Sequence, residues 1–108
     1  MSSGSDLAET ALSFSTPLRA APSVHVVPVG NPVPVGCSGT VENPDASPGH
    51  LCIFVGWSAN TATPGDIAGT YKAETGQSGA SRRGTVLIVH AADSGYVETS
   101  GTYAVTAP

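Results

Sequence analysis

Hydrophobic residues along this chain alternate with polar ones in short runs cut apart by glycine and proline, a pattern that predicts strands rather than helices. Between positions 11 and 15, Leu12 and Phe14 fall on one face. Val24-His25-Val26-Val27-Pro28-Val29 is strongly β-prone, and Pro28 confines that end to a sheet edge because it cannot donate to a ladder. Val35 to Val41, Leu51 to Val55 and Gly69 to Ala73 are further strand candidates, the last with an exposed character. Thr85-Val86-Leu87-Ile88-Val89-His90 is continuously apolar up to its end, as a strand covered on both faces would be. Gly95 to Thr99 and Thr102 to Thr106 predict a closing hairpin around Ser100-Gly101, with Tyr103 and Val105 facing one way. The stretches 30–34, 60–66 and 76–81 are turns or loops. The one helical candidate is Asp6 to Leu12, where Asp6 could cap and Glu9 sits three residues on. Two turns are marginal alone, so this segment is expected to be a short helix or an ordered arm leading into a strand.

About eight short strands with regular turn signals predict an all-β fold, a β-sandwich of jelly-roll type. With no internal repeat or linker in view, the expected organisation is an arm over residues 1–11 and a single domain over 12–108. At 108 residues the chain is the size of one ordinary domain. A chain this short buries only about two-thirds of its unfolded surface, so it gains much from any reinforcement.

The charge balance narrows the partners. Charged residues make up 11% of the chain and the net charge is −4. The only cations are Arg19, Lys72, Arg82 and Arg83, too few to replace the counter-ions of DNA or RNA or to hold an anionic membrane surface. No apolar stretch approaches the length of a bilayer span. The first residues, Met1 to Asp6, carry neither the basic nor the apolar region of a signal peptide. An excised domain of a secreted chain, a mature form with a cloning remnant, and a whole virion component released by lysis all fit that start.

Cys37 and Cys52 flank a turn-rich segment that brings two strand-like ends together. A disulfide closing such a loop would stabilise by roughly 3 kcal/mol. Two buried free thiols, as an intracellular protein would have, are the alternative. A redox-active pair is disfavoured because the C-x-x-C spacing is absent.

Candidate chemistry is sparse. His25, His50 and His90 show no metal-motif spacing, and the simpler reading of each is a hydrogen-bonded histidine at a strand surface, so no metal or other cofactor is expected. Gly56-Trp57-Ser58-Ala59-Asn60 resembles a nucleophile elbow only superficially, lacking the second glycine and the following helix. The acidic residues are scattered through turns, with no pairing suited to glycoside chemistry. Lys72, the only lysine, has neighbours too polar for the buried setting that an intramolecular Lys–Asn crosslink requires. A non-enzymatic protein is therefore expected. Trp57, opening a polar loop after an apolar strand, is a candidate contact for a sugar or a protein, although packing is the commoner fate of such a residue. Arg82 and Arg83 could meet an anionic partner, although an exposed solubilising pair is the simpler reading. Val86, Ile88, Tyr103 and Val105 are candidates for the core or for a subunit interface.

One resemblance rests on extended stretches of the chain. His25-Val26-Val27-Pro28-Val29-Gly30, then Pro34-Val35-Gly36-Cys37-Ser38-Gly39-Thr40-Val41, and Pro48-Gly49-His50-Leu51-Cys52-Ile53-Phe54 resemble the globular domain at the C-terminus of collagen-like repeat proteins of actinobacteria and their phages. The stretch from Gly79 to Gly84 and the ending Gly101 to Pro108 resemble it too. No activity or catalytic residue comes with that family. A globular head on a collagen-like stalk, itself a triple helix, implies a trimer, although this chain contains no Gly-X-Y run. The expectation is a homotrimeric structural or adhesive head on an extracellular fibre or virion surface, contacting fibre proteins, capsid proteins or surface glycans. Its rivals are a capsid decoration protein clamping the shell with residues 2–12, a carbohydrate-binding module, and a small secreted hydrolase.

Overall fold

The computed structural model describes residues 7–59, 69–90 and 98–108. The loop expected at 60–66 and most of the stretch 95–99 lie outside the described residues. All regular structure in the described part is β: β1 (Leu7–Ser13), β2 (Ser23–Val27), β3 (Cys37–Gly39), β4 (Pro44–Ala46), β5 (His50–Ala59), β6 (Gly69–Tyr71), β7 (Gly84–His90) and β8 (Glu98–Val105). The strands form three sheets, ordered β1-β7-β6, β2-β5-β8 and β3-β4. This is the small sandwich that the alternating pattern predicts, with the β3-β4 hairpin as an additional cover.

The layers follow from which side chains alternate along β5. Leu51, Ile53 and Val55 point into one apolar cluster with Ala80 and Val89, joined by Leu12, Phe14, Val24, Val26, Leu87 and Val105. That cluster is the filling between the β1-β7-β6 and β2-β5-β8 sheets. Cys52 and Phe54 point the other way, into a second cluster with Val27 and Ala46, edged by Cys37, Val41 and Ala104. The hairpin closes this second cluster from outside. The uninterrupted run Leu51 to Val55 is thus a strand with core on both faces, and all five of its residues are buried.

The hairpin is pinned rather than merely packed. Cys37 and Cys52 form a disulfide, Ser47 N–H donates to the Gly36 carbonyl, and the hydroxyls of Thr102 and Thr106 donate to the carbonyls of Val41 and Ala46 at 2.7 Å each. On the other side of the molecule, the Tyr71 hydroxyl donates to the Glu9 carboxylate at 2.8 Å, linking the two outer strands β6 and β1 across β7. Thr85, polar and buried in the core, shares its one hydroxyl proton between the carbonyls of Tyr71 and Gly79.

Three expectations are revised. Of the segment expected to be a short helix or an arm leading into a strand, the described part is already strand: Leu7–Ser13 is extended and pairs antiparallel with β7 from Leu7↔His90 to Ser13↔Gly84. A two-turn helix is marginal, whereas the paired strand satisfies its backbone and seats Leu12 on the core. Ser100-Gly101 is not a turn either. β8 runs straight through it beside β5, and the ladder absorbs an extra residue at Gly56 as a β-bulge between Val55 and Trp57. A glycine is required at 101 because a Cβ there would collide with the Phe54 carbonyl oxygen, and close backbone approach is the other meaning of a strand glycine. Finally, Pro44–Ala46, in the segment read as turn-rich loop, forms β4 against β3.

Candidate functional site

β2 and β5 run parallel, with Ser23↔His50 and His25↔Cys52 in register. Paired residues of adjacent strands share a face, so Val24 and Val26 join Leu51 and Ile53 in the inter-sheet core. His25 falls with His50 and Cys52 on the face that the hairpin covers. Diagonal neighbours on one face are within reach of long side chains, and here the two rings meet: His25 Nε2 and His50 Nδ1 are 2.8 Å apart. One nitrogen donates its N–H and the other accepts. The ring centroids are 5.0 Å apart and the ring planes 28° from parallel. The centroid separation exceeds the N···N distance by about the width of one imidazole ring, so the rings meet edge to edge with the facing nitrogens between them.

The backbone is shaped for this pair. Gly36 has φ +99°, and a Cβ built on it would lie 2.6 Å from His50 Nδ1, so glycine is what leaves the ring its place. Cys37, the next residue, is tied to Cys52, the register partner of His25. Both histidines are half-buried. Burial, and secondarily the charge of His50, hold the His25 pKa below the ordinary imidazole value. No group of three or more His, Cys, Asp or Glu side chains that could hold a metal ion occurs among the described residues. The third histidine, His90, lies in β7 of the other sheet.

A second candidate region is cationic. Lys72, Arg82 and Arg83 line a shallow cleft of about 330 Å³, together with Glu74 and Ser81. Arg82 is anchored there: its Nε donates to the Leu18 carbonyl at 2.6 Å, and Leu18 N–H returns a bond to the Arg82 carbonyl. Glu74 accepts from the Ser81 hydroxyl at 2.8 Å, and that bond, followed by its own backbone and the nearby cations, holds its pKa low.

The apolar candidates separate by face. Leu87 and Val89 pack on the inter-sheet core, so the alternation of β7 turns Val86 and Ile88 to the outer face of their sheet. There Val86 is 9% exposed and Ile88 half-buried. Tyr103 and Val105 pair with Ile53 and Leu51 and share their face; Val105 packs on the core, while Tyr103 remains 40% exposed. Trp57 would have shared the face of Val55 in an unbroken ladder. The bulge at Gly56 resets the phase and turns it toward the Cys52 and Phe54 side, 52% exposed. Ser58 lies in β5, but its side chain is outside the described set.

The spacing of the histidines along the chain does not reveal the His25–His50 pair. The signal available was parity: once β2 and β5 are adjacent, the alternation that puts Val24 and Val26 inward puts His25 on the opposite face. The parallel pairing itself was not legible. Comparison with family models, with curated proteins and with solved structures gives no match to this chain. The described residues form a small disulfide-bonded β-sandwich, and a disulfide belongs to an oxidising setting such as the extracellular space.

Proposed function

We propose that this protein is a non-enzymatic structural or adhesive module, acting as the trimerising head of an extracellular or virion fibre. The observation that carries the reading is the run of valines left open along one connector. Val29, Val33 and Val35, all in the connector between β2 and β3, are 52%, 41% and 95% exposed. A monomer with so few charged residues has little with which to screen such a surface, and exposed apolar patches mark contact sites. Three copies meeting through this connector would cover it. The likeness of 25–30 and 34–41 to the heads of collagen-like proteins supports the same assembly, since those stretches flank and include the open valines.

The test is solution mass by light scattering over a dilution series of the intact, oxidised protein. A trimer that persists on dilution, and that Val33→Ser with Val35→Ser converts to monomer, is the expected result. A monomer at every concentration removes the trimeric head. Residues 7–13 are paired along β7, so a shell-clamping arm would have to detach them first. The exposed Trp57, turned outward by its bulge, favours one second reading, a carbohydrate-binding module. A glycan array that stays blank, or glycan binding unchanged in Trp57→Ala, removes it.

A further inference from the structure

We propose that His25 and His50 form a two-imidazole site for a borderline divalent transition-metal ion, Zn²⁺, Cu²⁺ or Ni²⁺. The argument starts from their geometry. Two ring nitrogens facing one another across 2.8 Å share one N–H proton and, after a small opening and loss of that proton from between them, can hold a metal ion. Zinc binds imidazole nitrogen at about 2.0–2.1 Å in a tetrahedral arrangement, which sets two ligand nitrogens roughly 3.3 Å apart. The rings therefore need to part by only about half an ångström and swing their lone pairs to a common point, a rotamer-scale adjustment for half-buried side chains.

Three further features suit a metal. The ligands sit on adjacent strands whose register is fixed by the ladder, so most of the ordering cost is met by the fold. The disulfide and Gly36 hold the backbone beside His50, limiting how far that ring can retreat. Neutral imidazole is the metal-binding form, and a 2.8 Å contact between two ring nitrogens requires at least one of them to be unprotonated, with its lone pair toward the other. Imidazole pairs suit zinc, copper and nickel rather than calcium or magnesium, which take oxygen ligands. With two protein ligands the remaining coordination positions are open to water. On binding, the N–H proton of the pair need not be lost from the ring that carries it: a tautomer shift places it on the outer nitrogen, leaving both facing nitrogens free to coordinate.

The experiment is calorimetric titration of the chelator-treated, oxidised protein with ZnCl₂ and CuCl₂ in a non-coordinating buffer near pH 7.5, where imidazole is neutral. The expected result is one saturable site per chain, with affinity falling at least about tenfold in His25→Ala and again in His50→Ala, while His90→Ala leaves it unchanged. Because these variants could disturb the fold, substoichiometric Cu²⁺ is also added to the isotope-labelled wild type and the imidazole NMR signals are followed. Selective broadening of His25 and His50 is expected. Absence of saturable binding at millimolar metal, binding undiminished in His25→Ala, or broadening centred on other residues each overturns the proposal. The first of these would leave the pair a shared-proton contact only.

Discussion

The Cys37–Cys52 crosslink offers the sharpest quantitative test of how this small domain is held together. The bond spans 15 positions of sequence and joins the cover hairpin to the strand at the centre of the fold. Chain-entropy arguments give about 3 kcal/mol for a loop of that length. Set against the ~5–15 kcal/mol by which native domains exceed their unfolded states, that is a fifth or more of the total. Reduction removes the crosslink but leaves both sulfurs in place. The double variant Cys37→Ala with Cys52→Ala also empties a site where Cys52 is 0% exposed, costing about 1 kcal/mol more. Urea unfolding followed by the fluorescence of Trp57, the only tryptophan, compares the oxidised protein, the reduced protein and the variant. The expected order of midpoints is oxidised, reduced, variant. The first gap corresponds to about 3 kcal/mol, or roughly 12–24 °C in Tm for a domain near this size. The denaturant dependence m should rise in both uncrosslinked forms, because their unfolded chains are less compact. A gap below about 1 kcal/mol between oxidised and reduced protein would refute the reasoning, since it would mean that the unfolded chain gains little freedom when the loop is opened.

Further outcomes follow from single residues. The pKa of His25 is lower folded than its unfolded value of 6.5, so the unfolded chain takes up the proton first as pH falls. Stability present above that value should therefore be lost as pH drops through the folded pKa, and His25→Gln should flatten this dependence; melts from neutral to mildly acidic pH check it. Gly101→Ala, which forces a Cβ onto the Phe54 carbonyl, should destabilise by about 1–3 kcal/mol, measured by urea midpoint. Leu51→Ala, truncating a side chain that is 0% exposed, should cost about 2–5 kcal/mol by the same assay.

How far the sequence reached depended on whether a feature is local. The apolar runs of β5 and β7, the edge position of β2 and its end at Pro28, and the pairing of Leu12 with Phe14 on one apolar face all follow from alternation within a few residues. The cysteines could be paired because the turn-rich loop between them implied close ends. What failed needed knowledge of a neighbour. Asp6 to Leu12 carries a helix-start signal, and only the proximity of β7 makes the chain from Leu7 onward a strand. Ser100-Gly101 has turn chemistry, and only the backbone of Phe54 shows that the glycine is there for clearance. The hairpin strand β4 is three residues inside a proline-rich segment, too short to show a period. The histidine pair depends on a parallel register between residues 25 apart in the chain, which no pattern in either strand encodes.

The two-sided burial of β5 has a consequence for how the molecule opens. Each apolar cluster borrows one face of the same strand, so neither can come apart without exposing the backbone that supports the other. The hairpin and the β1-β7-β6 sheet, which do not share a ladder, are thereby made to respond together. In amide-exchange terms, Leu51 to Val55 should be the last segment to take up deuterium, exchanging only through global unfolding. Opening at the margins, around β6 or the connector bearing Val33 and Val35, should stay confined there, so a partner could remodel that connector while the centre of the domain keeps its protection.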